Sequence, residues 1–85
     1  MSYQVKIDKK VLKRLEKIPE PFYKSLKDSI LELGDEPRPN GYIKLKGRAG
    51  YRIRVGNYRV IYEIEDSIKI VEVLHVGHRG DIYEG

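Results

Sequence analysis

Residues 51–62 read YRIRVGNYRVIY, and the fold turns on this stretch. Apolar and basic side chains alternate with period two on both sides of Gly56-Asn57. That is the pattern of two strands joined by a tight turn, because Gly and Asn accept the positive φ that hairpin turns require. A two-residue loop pairs Val55 with Tyr58, Arg54 with Arg59, Ile53 with Val60 and Arg52 with Ile61. One face then carries Tyr51, Ile53, Val55, Tyr58, Val60 and Tyr62, and is the expected core side. The other carries Arg52, Arg54 and Arg59. Arg54 and Arg59 are expected directly opposite one another, where like charges destabilise a sheet. A fold with no use for that arrangement should avoid it.

Arginines on an exposed sheet face often do no more than keep it soluble. Here, however, Lys44, Lys46 and Arg48 precede the hairpin, and no carboxylate occurs between Glu36 and Glu63. Six cations within residues 42–62 make an electropositive patch, which favours binding of a polyanion over plain solvation.

Working outward, 85 residues make a single domain over residues 1–85. A chain of this size must use nearly every apolar residue to build its core. The sequence has no cysteine, so neither a disulfide framework nor thiolate chemistry is available. His75 and His78 are the only histidines, and no zinc site, other metal or cofactor is expected. The start, MSYQVKIDKK, lacks an apolar run suited to a signal peptide or membrane span, so a cytoplasmic protein without a membrane partner is expected. The net charge of +4 and a pI near 9.3 suit an acidic partner such as nucleic acid.

Before the hairpin, Tyr3, Val5 and Ile7 alternate with Gln4 and Lys6 as in a short strand. Asp8 is placed as an N-cap, and Val11, Leu12, Leu15 and Ile18 fall on one helical stripe. Pro19 and Pro21 end that helix, and Pro21 can open the next. There Phe22, Leu26, Ile30 and Leu33 recur at helical spacing, with Gly34 as a C-cap. Residues 35–41 (DEPRPNG) form a loop by composition, and Tyr42–Lys46 begins a strand. After the hairpin, a turn at residues 65–67 leads into a strand over Ile68–Val76 that is apolar on both faces. The order β-α-α-β-β-β gives an α+β domain, with both helices packed on one face of an antiparallel sheet.

No phosphate-binding glycine loop, Gly-x-Ser-x-Gly elbow or carboxylate acid/base pair is present. Glu72 is expected on the arginine face as a counter-ion of Arg59, and His75 on the core side as a structural histidine. What remains is Arg52, Arg54 and Arg59 on the sheet, then His78, Arg79 and Tyr83 beyond its last strand. Arginine grips phosphate bidentately, and a tyrosine or histidine nearby can move a proton. Such a set suits cleavage of RNA, whose 2′-OH is an internal nucleophile. Tyr83 could equally be a packing residue that pins the tail.

YRIRVGNYRVIYEI followed by VLHVGHRGDIY resembles the RelE branch of the RelE/ParE superfamily of toxin–antitoxin toxins, most closely over Leu45–Tyr83. The resemblance implies a ribosome-dependent endoribonuclease that cuts mRNA in the decoding site and is held inactive by a cognate antitoxin. It assigns the site to the positions that match here: the basic pair Arg52 and Arg54, then Arg59, Arg79 and Tyr83. Lys44, Lys46 and Arg48 are expected to assist RNA binding. The best-studied toxins of this type carry lysines where this chain has Arg52 and Arg54. Since arginine is a poor general base, proton transfer falls to Tyr83 or His78, or the cationic field alone suffices. The ParE branch, which resembles a gyrase poison, and a non-catalytic RNA- or ribosome-binding module are the rival readings.

Overall fold

A computed structural model describes residues 3–78. The hairpin pairs as its alternation demands: β3 (Tyr51–Val55) and β4 (Tyr58–Glu65) place Val55 against Tyr58, Arg54 against Arg59, Ile53 against Val60 and Arg52 against Ile61. Of the two turn residues only Gly56 has positive φ (61°), the pattern of a II′ turn with glycine at its first central position. Around the hairpin lie β1 (Gln4–Ile7), α1 (Lys9–Glu16), α2 (Phe22–Glu32), β2 (Ile43–Lys44) and β5 (Ile70–His78). The sheet has five strands in the order β1-β5-β4-β3-β2.

Two features go beyond the expected antiparallel β-α-α-β-β-β arrangement. β2 is a separate strand of two residues, shorter than the Tyr42–Lys46 segment expected. β1 lies parallel to β5, so the sheet is mixed. Hydrophobic alternation carries no strand direction. Here direction is set by the two helices, which carry the chain from the β1 edge to the β2 edge over one sheet face. The last strand also starts later than expected: residues 66–69 turn, Lys69 takes positive φ (54°), and Ile68 is exposed.

The core lies between the helices and the sheet. Val11, Leu15, Leu26, Ile30 and Leu33 pack on Ile53, Val60, Tyr62, Val71, Val73 and Val76. Leu12, expected in the α1 stripe, is 45% exposed. A helix of eight residues buries Val11 and Leu15, four apart, and turns Leu12 away. Asp8 stands at the N-cap, but only its carbonyl caps, accepting from the N–H groups of Val11 and Leu12 (3.0 Å each). Gly34 serves close approach rather than a left-handed cap. A Cβ there would meet the Tyr3 carbonyl oxygen at 3.0 Å, and the Gly34 carbonyl accepts from the Tyr3 N–H, also at 3.0 Å.

The irregularity in the sheet falls beside the site. Ile61 pairs with His75 but Tyr62 pairs with Val73, so Leu74 is an extra residue on β5. The bulge keeps Val73 and Val76 in the core and turns His75 to the arginine face, contrary to the core-side placement expected from strict alternation.

A clamp fixes the loop before β2. The Tyr62 hydroxyl, buried, donates to the Pro37 carbonyl at 2.7 Å. Arg38 pairs with Asp66 at 3.0 Å and covers the Tyr51 ring at 5.4 Å from its centroid. Tyr3 donates to Asp66 at 2.6 Å. The rings of Tyr42, Tyr51 and Tyr62 follow one another at 5.9 and 5.8 Å. Residues 37–42 are thereby held against the hairpin, next to Arg52 and Arg54.

Candidate nucleic-acid interface

On the sheet face away from the helices the pairing builds two rows. One runs Ile43, Arg52, Ile61, His75 across four strands; the other runs Arg54, Arg59, Gly77 across three. Gly77 brings no side chain beyond Arg59, so the second row carries no acidic side chain on β5. Arg52 is buried, Arg59 half-buried and Arg54 exposed. Beside Arg52, Ile61 forms a small apolar cluster with Leu45, which is held where the Leu45 N–H donates to the Gly50 carbonyl at 3.0 Å. Long cationic stems lie well on such a floor.

His75 joins this face. Partial burial of its ring, then the positive charges of Arg14 and Arg48, push its pKa below the ordinary histidine value. Arg48 therefore belongs to the electropositive field around Arg52, while Lys46 is simply exposed in the loop. Lys44 does not join: it pairs with Tyr51 and its ammonium lies 5.5 Å from that ring's centroid, on the core side of the sheet. His78 does not join either. It sits opposite Tyr58 and meets that ring edge-on at 5.5 Å, whereas Arg59 points to the other side. Glu72 is on the arginine face but far from Arg59. β5 sets Gly77, five residues on, against Arg59, and Glu72 lies between Glu63 and Lys6. At about 3.3 Å per residue that is roughly 16 Å of strand. Arg79 and Tyr83 lie outside the described residues.

A second basic feature is not legible in the sequence. Beyond the end of β1 a groove of about 640 Å³ runs between α1 and the upper part of β5, rimmed by Lys10, Lys13, Arg14, Lys17, His75 and His78. In the sequence those lysines are only the solvent side of a short amphipathic helix. The groove arises because β1 pairs no further than Val73.

The arrangement offers concentrated positive charge around Arg54 and Arg59, with no carboxylate in either row. Residues 5–83 match the family described as the ParE toxin of the type II toxin–antitoxin system parDE. The putative toxin RelE1 of Methanocaldococcus jannaschii is 31% identical over 99% of this chain and 98% of its own. The chain belongs to the RelE/ParE toxin family.

Within that family its likeness is to RelE. The RelE toxin of a RelE–RelB complex from Pyrococcus horikoshii OT3 superposes with a TM-score of 0.84 at 36% identity, covering 96% of this chain and all of that one. The mRNA interferase toxin RelE of Escherichia coli K12 is 29% identical over 93% of this chain and 85% of its own. The two-helix, five-strand α+β architecture is thus a RelE fold, and the protein is a toxin of a toxin–antitoxin pair. No helix among the described residues is long and apolar enough to cross a membrane.

Proposed function

We propose that this toxin is an mRNA interferase that cleaves messages in the decoding site of the ribosome, and that a cognate antitoxin silences it. The observation that carries the reading is the pairing of Arg54 with Arg59 across the hairpin, with Arg52 one row away on the same face and no acidic residue in either row. A sheet tolerates that repulsion readily when a phosphate sits between the cations. Relatives named mRNA interferase, and a solved RelE bound to RelB, support both the activity and the partner.

In this reading Arg59 and Arg79 hold the scissile phosphate, while Arg52 and Arg54 fix the strand. The 2′-oxygen attacks phosphorus, the bond to the 5′-oxygen breaks, and the products are a 2′,3′-cyclic phosphate and a 5′-hydroxyl. The arginines stabilise the charge that develops on the phosphorane oxygens. Tyr83 moves a proton, since His78 faces Tyr58 on the opposite side of the sheet. No step calls on a metal, and among the described residues no group of three or more His, Asp or Glu side chains is placed to hold one.

The test is primer extension on a message in a translation extract, with wild type, Arg59→Ala, Arg79→Ala and Tyr83→Phe. Cuts confined to ribosome-bound message, with cyclic-phosphate ends, support the reading. A 3′-hydroxyl at the cut rules it out. The family described as ParE, which the chain matches, supplies the rival: a gyrase poison would stabilise cleaved DNA in a supercoiling assay and leave mRNA intact.

A further inference from the structure

Beside the arginine rows the sheet has a notch. β2 pairs only Ile43 with Arg52 and Lys44 with Tyr51, so the outer edge of β3 from Ile53 onward has no strand beside it among the described residues. Two hollows meet there. One of about 380 Å³ is lined by Asn40, Gly41, Ile43, Arg52, Ile53 and Arg54. The other, about 220 Å³, shares Asn40, Ile53 and Arg54 and extends toward Ser29, Glu32 and Glu36 on the α2 side.

The lining is unlike that of a simple phosphate site. Ile43 is a large apolar side chain left 47% exposed on a strand edge. At Gly41 the backbone has φ of +88° and nothing lies within 4 Å of where a Cβ would sit, so that wall is open. Asn40 offers an amide with two donors and an acceptor, and the uncovered β3 edge offers backbone donors and acceptors. The clamp of Tyr62 on Pro37 and Arg38 on Asp66 holds this loop in place. A nucleobase needs an apolar face to lie against and polar groups for its edge, and its phosphate needs cations one step away.

We infer that this notch is a base-recognition subsite. It takes the nucleobase next to the phosphate gripped by Arg52 and Arg54, with Asn40 reading the base edge and Ile43 packing on its face. Asn40 is then a specificity-determining residue of the cleavage reaction. Basic rows alone hold any RNA strand alike, whereas the notch adds discrimination.

The inference rests on the RNA-cleavage reading, and one experiment separates the two. Cut sites are mapped by primer extension on a long translated message for wild type, Asn40→Ala, Ile43→Ala and Arg59→Ala, and each map is expressed as the ratio of preferred to disfavoured bases beside the cut. Arg59→Ala should lower all sites together and keep the ratio. Asn40→Ala should lower the ratio about five- to tenfold, the worth of one hydrogen bond. Ile43→Ala should lower it in the same direction. An Asn40→Ala map with the wild-type ratio overturns the inference. If wild type leaves the message uncut, the cleavage reading fails instead. Anisotropy titration with four labelled RNA oligomers differing at one base then decides about the notch. Wild-type affinities that differ several-fold and level out in Asn40→Ala uphold it, and equal affinities overturn it.

Discussion

Arg54 and Arg59 stand directly opposite each other in the β3–β4 ladder, one pair in from the Gly56-Asn57 turn. Two cations at that spacing work against the hairpin in the absence of an anion. Arg54→Thr, which removes one charge and adds a β-branched residue, should stabilise the free toxin by about 0.2–1 kcal/mol. That corresponds to a rise in melting midpoint of roughly 1–6 °C, followed by circular dichroism. A midpoint that falls would mean that the pair is already neutralised within the fold.

The same pair should dominate activity. Arg59→Ala should cost about two to three orders of magnitude in cleavage rate, as when a charge-stabilising donor is removed. Arg48, on the exposed loop near His75, contributes field rather than contact. Arg48→Ala should weaken binding and flatten its salt dependence while leaving the rate at saturation close to wild type. Single-turnover rates at saturating ribosome, across a salt series, distinguish the two; equal losses would remove Arg59 from the reacting centre.

Tyr62 is fully buried and its hydroxyl donates to the Pro37 carbonyl at 2.7 Å. Burial also pushes its pKa well above the ordinary tyrosine value, so it stays a neutral donor throughout the working range. Tyr62→Phe keeps the ring stack and leaves the carbonyl unpaired, at a cost of about 1–2 kcal/mol. The midpoint should drop by roughly 5–10 °C, and hydrogen exchange should quicken in residues 37–42 ahead of the hairpin. Uniform loss of protection would show that the clamp holds the whole sheet rather than the loop.

Acid should loosen the protein in two stages. The His75 pKa lies below its ordinary value of 6.5 because partial burial, Arg14 and Arg48 disfavour the imidazolium. The unfolded chain therefore binds the proton more readily, and the stability tied to neutral His75 is complete above pH 6.5 and is lost as pH falls below it. Asp66, held below its ordinary value by Arg38 and Tyr3, adds a second loss at lower pH, as its carboxylate is protonated. Urea midpoints across pH should show both, and His75→Gln should erase only the first. An unchanged upper stage in that variant would assign it to another group.

The sequence by itself determined the hairpin, its register and the opposed arginines. Period-two alternation around Gly56-Asn57 allows one pairing that buries Ile53, Val60 and Tyr62 together. It also marked both helices and most of the core, because Leu26, Ile30 and Leu33 recur at helical spacing. Tertiary structure alone decided what depends on where elements meet. The β5 bulge turned His75 outward, since an extra Leu74 is a matter of register with β4 and leaves no local signal. The position of Glu72 relative to Arg59 follows from that ladder too, and so does the placing of His78 behind the arginines. Lys44 reads as one more cation in the patch, but its pairing with Tyr51 sends it to the other face. The parallel β1 and the notch at Asn40 both come from strands that stop early beside longer neighbours. Strand length and direction are settled by packing across the sheet, which a linear pattern of side chains does not encode.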